Sequence, residues 1–204
     1  MFDILAFISL LIVIMLLRRA VNIFPSLLAC MIRWKENVNL EASLRLKTDR
    51  NMIAAAMVVP FCLLVEHTGL YFPSWMEGLG TSAGIFAILA VLGGYFLLRH
   101  ALTFALRPRA NASAYKTSSA ASKTFFIILT FFLLATVGIF SLFDAGTEAT
   151  RNAMIWISGA IYLVFIFRRV QIFASSYNFF AVFLYLCALE ILPTGILIAS
   201  ALIF

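Results

Sequence analysis

Residues 178–203 read NFFAVFLYLCALEILPTGILIASALI. The stretch carries one charge, that of Glu190. A helix rises 1.5 Å per residue, so about 20 apolar residues cross the ~30 Å hydrocarbon core of a bilayer. This stretch is long enough to do so, and its neighbours repeat the pattern. The expected fold is therefore all-α: a polytopic transmembrane helical bundle in a single domain over 1–204.

Working toward the N-terminus, further spans are expected at 152–167, closed by Arg168-Arg169, and at 124–143, 82–98, 51–71 and 1–17. Apolar sequence after Arg99 and His100 allows the third helix to run on to Leu106. The first run has its positive charges, Arg18 and Arg19, after the apolar residues and no convincing cleavage site, so it reads as a retained helix rather than a signal peptide. Residues 21–32 contain Pro25 and are short for a span, which suggests an interfacial or re-entrant segment. The connections are a polar stretch at 33–50, a turn at 72–81 with an interfacial Trp75, a small, basic loop at 107–123 and a short loop at 144–151.

Composition agrees with six spans. Of 204 residues 64% are hydrophobic and 12% charged, with a mean hydropathy of +1.05. A small soluble domain leaves too much of its surface exposed to hide so much apolar material. The same figures exclude a disordered chain and a secreted disulfide scaffold. The net charge is +6. Assigning alternate loops to opposite sides gathers Arg18, Arg19, Arg33, Lys35, Arg45, Lys47, Arg50, Arg99, Arg107, Arg109, Lys116, Lys123, Arg168 and Arg169 on one side, and leaves Arg151 on the other. Basic loops stay in the cytoplasm, so both termini are expected on the outer, periplasmic side. The charge then serves contact with anionic lipid headgroups rather than nucleic acid.

Glu190 is the sharpest candidate for chemistry. It falls about 18 Å along its helix, near the membrane midplane, where a carboxylate costs at least ~2.5 kcal/mol on insertion scales. Cys187, Glu190 and Thr194 share one face. Pro193 beside them deprives the Leu189 carbonyl of its helical donor. Two readings stay open: a cross-link between helices, or a site for a proton, ion or ligand. Glu66 and His67 lie in the outer half of the second span, above a kink expected at Pro60. A Glu66/His67/Glu190 cluster opening outward is geometrically possible, and the alternative is that Glu66 and His67 meet interfacial water. His100 falls at the opposite membrane face from His67, which removes a bis-His haem. No cofactor and no metal site is expected, for HExxH, CxxC, GxSxG, Walker A and GxGxxG motifs are all missing. Cys30, Cys62 and Cys187 read as free thiols in the core. Ala83, Ala87, Ala90 and Gly94 form a small-residue stripe suited to close helix packing.

The run FRRVQIFASSYNFFAVFLYLCALEILP at 167–193 resembles a family known as domain of unknown function 4271, polytopic inner-membrane proteins of Bacteroidota. The resemblance implies location in a bacterial inner membrane and a multi-pass topology. It implies no catalytic residue. The expected function is a non-enzymatic scaffold or accessory subunit of an envelope complex, possible partners being other membrane proteins. The alternatives are a small proton- or ion-coupled transporter using Glu190, or an intramembrane enzyme.

Overall fold

The computed structural model describes residues 2–71, 73–76, 80–105, 112–144, 146–175 and 177–203, and these are helical almost throughout. The helices are α1 (Phe2–Ile32), α2 (Trp34–Ala42), α3 (Leu44–Ala56), α4 (Val58–Thr68), α5 (Thr81–Ala105), α6 (Ala112–Leu142), α7 (Thr147–Ala174), α8 (Phe179–Leu186) and α9 (Leu192–Ile203). A π turn, Cys187–Ile191, joins α8 to α9. No strand occurs among the described residues. Among the described residues, five helical stretches are long and apolar enough to cross a membrane: Leu44–Thr68, Ala83–Ala105, Lys116–Leu142, Thr147–Ala174 and Phe180–Ala201.

Local sequence explains most of the punctuation. The α3–α4 pair is one helical stretch broken at Met57, because the Pro60 ring collides with the carbonyl four residues back, at Ala56. α4 ends where Gly69 takes φ +59°, a left-handed conformation that costs glycine nothing. There the Gly69 and Leu70 amides donate to the Glu66 and Val65 carbonyls, closing a Schellman motif. α7 starts with Glu148 in its first turn, where a negative charge meets the positive end of the helix dipole.

Three boundaries differ from the sequence reading. The expected break between 1–17 and a separate segment at 21–32 is absent, for α1 runs unbroken through Arg18, Arg19 and Pro25. Its second half buries Ile23, Leu27 and Cys30 in the same core as Ile53, Met57, Ile128, Ile161 and Phe165. The loop expected at 107–123 is helical from Ala112, while 107–111 lie outside the described residues. Alanine and lysine favour helix, and Thr117, Ser118 and Ala121 are buried there. The third difference concerns α7, which does not stop at Arg168-Arg169. It continues to Ala174 with Ile172 and Phe173 buried.

The two ends of the bundle differ in character. At one lie the ends of α1, α5 and α7, the start of α6, and the polar α2 and α3. Most of the Lys and Arg residues gather at this basic end. At the other lie Gly69, the turn at Ser74–Met76 and the α6–α7 connection.

Candidate functional site

The site forms where three distant stretches of chain meet at Glu190. Its carboxylate is fully buried, and one oxygen, Oε1, receives both Arg99 of α5 and Arg169 of α7. The other oxygen, Oε2, is buried with no donor among the described residues. The side chains of Arg99 and Arg169 are 12% and 3% exposed, so only Arg99 has an edge outside the packed interior. Arg169 Nε donates to Ser118 Oγ at 2.7 Å, which brings in α6. Aromatic faces complete the pocket: the Arg169 guanidinium stands 5.4 Å from the Phe165 ring and 5.6 Å from Phe173, with Arg99 5.7 Å from Phe165. Such cation–π contacts are strongest where water is excluded. Four elements are thus joined through one carboxylate.

Helix geometry explains how Glu190 is presented. Pro193 has no amide hydrogen, and its ring crowds the Leu189 carbonyl. The chain relieves this by widening into the π turn, in which the Leu192 amide donates back to the Cys187 carbonyl. Within the widened turn the Glu190 carbonyl accepts a bond from Tyr162 Oη at 3.4 Å. One turn on, the hydroxyls of Thr194 and Tyr95 lie 3.5 Å apart. Pro193 itself is buried, and Cys187 is half-buried and free.

Glu190 sits near the middle of its own helical arm, 179–203, and near the ends of the helices that pair with it. Arg99 lies six residues before the end of α5, about 9 Å, and Arg169 five before the end of α7, about 7.5 Å. The carboxylate therefore stands about one and a half turns inside the basic end of these helices. Arg99 and Arg169 are the partners of Glu190 that sequence reasoning does not single out. Charge counting places both with the loops, although apolar sequence continues beyond each. Such continuation beyond a cation, in a chain with a carboxylate deep in an apolar helix, is the pattern that marks them.

Glu66 and His67 do not join the cluster. Glu66 packs toward Gly84 of α5, its Cγ 3.6 Å from where a β-carbon would sit. Gly84 and Arg99 are fifteen residues apart on one helix, about 22 Å, so Glu66 and Glu190 belong to opposite ends of the bundle. His67, one position on and exposed, lines a separate cleft of about 300 Å³ with Thr68, Val137, Ser141, Asp144, Thr147 and Thr150.

The stripe on α5 faces outward. Ala83, Ala90 and Gly94 are exposed, and Ala87 alone packs, against the cluster around Cys62, Val65, Met76 and Ile88. No group of three metal-ligating side chains occurs among the described residues.

These features define an all-helical membrane protein with an ion-paired interior. No family model, no curated protein and no solved structure matches the chain.

Proposed function

We propose that this chain is a multi-pass protein of a bacterial inner membrane that works as a non-enzymatic scaffold or accessory subunit of an envelope complex. In this reading α1 supplies a sixth span, both termini lie outside, and the basic end faces the cytoplasm. Twelve of the fourteen Lys and Arg residues assigned to that side remain once Arg99 and Arg169 are moved into the interior, still against Arg151 alone. Exposed Arg18, Arg33, Lys35, Arg45, Lys116 and Lys123 would meet anionic headgroups there. The resemblance of 167–193 to domain of unknown function 4271 belongs to the same reading.

The observation that carries the scaffold over the transporter is the burial of Glu190 between two guanidinium groups. A coupling carboxylate must exchange protons or ions with water. This one is spent on holding α5, α7 and the continuous α8–α9 arm together, and a guanidinium cannot give up its proton to clear the way. The test is recovery of the chain in mild detergent. Stable co-purification with another membrane protein of the envelope is expected. Recovery as a lone chain, together with pH-dependent flux in vesicles that Glu190→Gln abolishes, would overturn the scaffold in favour of transport.

A further inference from the structure

At the basic end, the seam between α3 and α6 brings like charges together. Arg50 Nη2 and Lys123 Nζ both donate to one atom, Asn51 Oδ1, at 3.2 and 3.3 Å. Two cations that share one acceptor stand at most about 6.5 Å apart. The amide oxygen orients both donors but carries no charge to set against them. Lys47 adds a third cation, 2.8 Å from Glu41 Oε1, while Arg50 Nη2 is 3.0 Å from Glu41 Oε2. Arg50, Lys47 and Glu41 all act electrostatically on the Lys123 ammonium. Three positive groups thus gather round one carboxylate, and Arg50 Nε has no acceptor among the described residues. The other carboxylates stand away from the seam. Asp49 turns to Arg19, Glu36 to Asn39, and Glu190 to Arg99 and Arg169. Glu66 lies toward Gly84, Asp144 lines the cleft at the far end, and Glu148 begins α7 there. Asp3 is sixteen residues before Arg19 on α1, about 24 Å. Glu77 follows Met76, which packs with Cys62, and Cys62 is twelve residues beyond Arg50 in Leu44–Thr68, about 18 Å.

The seam is open on one side. Lys123 is exposed and the Lys47 side chain is 32% exposed, whereas that of Arg50 is 2% exposed. An anion arriving from outside therefore meets the two lysines first, with Arg50 behind them as a fixed charge. Lys47 lies three residues into Leu44–Thr68 and Lys123 seven into Lys116–Leu142. These stretches hold 25 and 27 residues, about 38 and 40 Å of helix, against a hydrocarbon core of ~30 Å. Their first two turns thus fall at the depth of the phosphate layer, where a lysine can keep its stem on apolar surface and its ammonium among headgroups.

We propose that Lys123 and Lys47, backed by the buried Arg50, form a binding site for a phosphate oxyanion at the α3–α6 seam. A phosphate presents separate oxygens to separate donors, each at about 2.7–2.9 Å, and its charge opposes the repulsion that Asn51 leaves in place. The proposal rests on the membrane reading above and narrows it to one site. The source is either the headgroup of an anionic phospholipid or free inorganic phosphate, and the experiment separates the two.

Thermal unfolding of the purified chain in mild detergent is measured at constant ionic strength against phosphatidylglycerol, phosphatidylcholine, inorganic phosphate and chloride. A saturable rise in Tm with phosphatidylglycerol and not with phosphatidylcholine is expected if the lipid is the source. The same rise with inorganic phosphate over chloride points to the free ion. Lys123→Gln should raise the half-saturating concentration about tenfold, and Lys123→Arg, which keeps the charge, by less. Glu41→Gln removes the carboxylate that competes with the ligand for Lys47 and should lower half-saturation about threefold, a change that the loss of a purely structural contact would not produce. Replacing the exposed Arg18, Lys35 and Arg45 together by Gln should leave half-saturation unchanged. The site is overturned if neither phosphate form raises Tm above its control, if Lys123→Gln keeps the wild-type midpoint, if Glu41→Gln does not lower it, or if the triple variant shifts it as far as Lys123→Gln does. A chain that stays dispersed without detergent would instead overturn the membrane reading.

Discussion

Two buried arginine clusters can be compared within this one chain. At the α2–α3 junction Arg50 donates to Glu41 at 3.0 Å and to Asn51 at 3.2 Å, with Lys47 2.8 Å from Glu41. In the bundle Arg99 and Arg169 meet at Glu190. Both hide an arginine almost completely, with Arg50 2% exposed and Arg169 3%. They differ in sequence span and in water. Glu41 and Arg50 are nine residues apart, and Lys47 is 32% exposed. Arg99 and Glu190 are ninety-one apart, and the carboxylate is sealed. The first cluster staples a local turn that water can partly repair. The second exists only once α5, α7 and α8 have come together, so it reports on the whole fold.

The sharpest way to break this comparison is to remove each carboxylate in turn. Glu190→Gln leaves two buried guanidinium groups facing each other, and a loss of about 3–5 kcal/mol is expected, read as a large fall in Tm or in resistance to denaturing detergent. Arg169→Gln should cost less than Glu190→Gln, since it leaves a neutral Arg99–Glu190 pair. A reversed order would show that packing rather than charge governs the cluster. Ser118→Ala removes a hydrogen bond to a charged group and should cost about 1.5–3 kcal/mol by the same assay. Glu41→Gln should cost about 1 kcal/mol, because Asn51 still receives Arg50 and water reaches Lys47. An equal loss at Glu41 and Glu190 would erase the distinction drawn here.

Acidity separates the clusters more gently. Burial pushes the Glu41 carboxyl up, but the hydrogen bonds and charges of Lys47 and Arg50 outweigh it and hold its pKa below the ordinary carboxylate value. A folded value below the unfolded one means stability that is complete above the ordinary value and lost as pH falls through the lowered one. Unfolding of the wild type should therefore grow easier on acidification below the ordinary carboxylate range. Glu41→Gln should flatten part of that slope, measured as Tm against pH.

Apolar length made the helices legible in the sequence, and the loops proved harder. Residues 124–143, 82–98 and 178–203 are continuous enough that no other structure suits them, and helices occupy all three. Helix ends are hard to place where polar residues are engaged by tertiary partners, as with buried Thr117 and Ser118 in α6, or half-buried Arg168 and buried Arg169 in α7. Arg168 illustrates the difficulty: it donates to the Met31 carbonyl at 2.7 Å and to Gln171 at 2.6 Å. Neighbouring arginines thus take separate faces, one closing onto α1 and one entering the site. A hydropathy pattern registers both as the end of a span. Glu190 stood out because a carboxylate in apolar sequence is costly anywhere. Its partners did not, because nothing local ties residue 99 to residue 190.

The π turn at Cys187–Ile191 has a consequence for α9 that concerns rotation rather than charge. An extra residue in a helix turns everything after it by about 100°. The facing of α9 is set by that added step, and with it two junctions: Thr194 beside Tyr95, and Ser200 hydrogen-bonded to Tyr71 at 2.9 Å near the far end of the molecule. Pro193, by making a regular turn unfavourable there, acts as the detent that keeps the last helix clocked to the first half of the bundle.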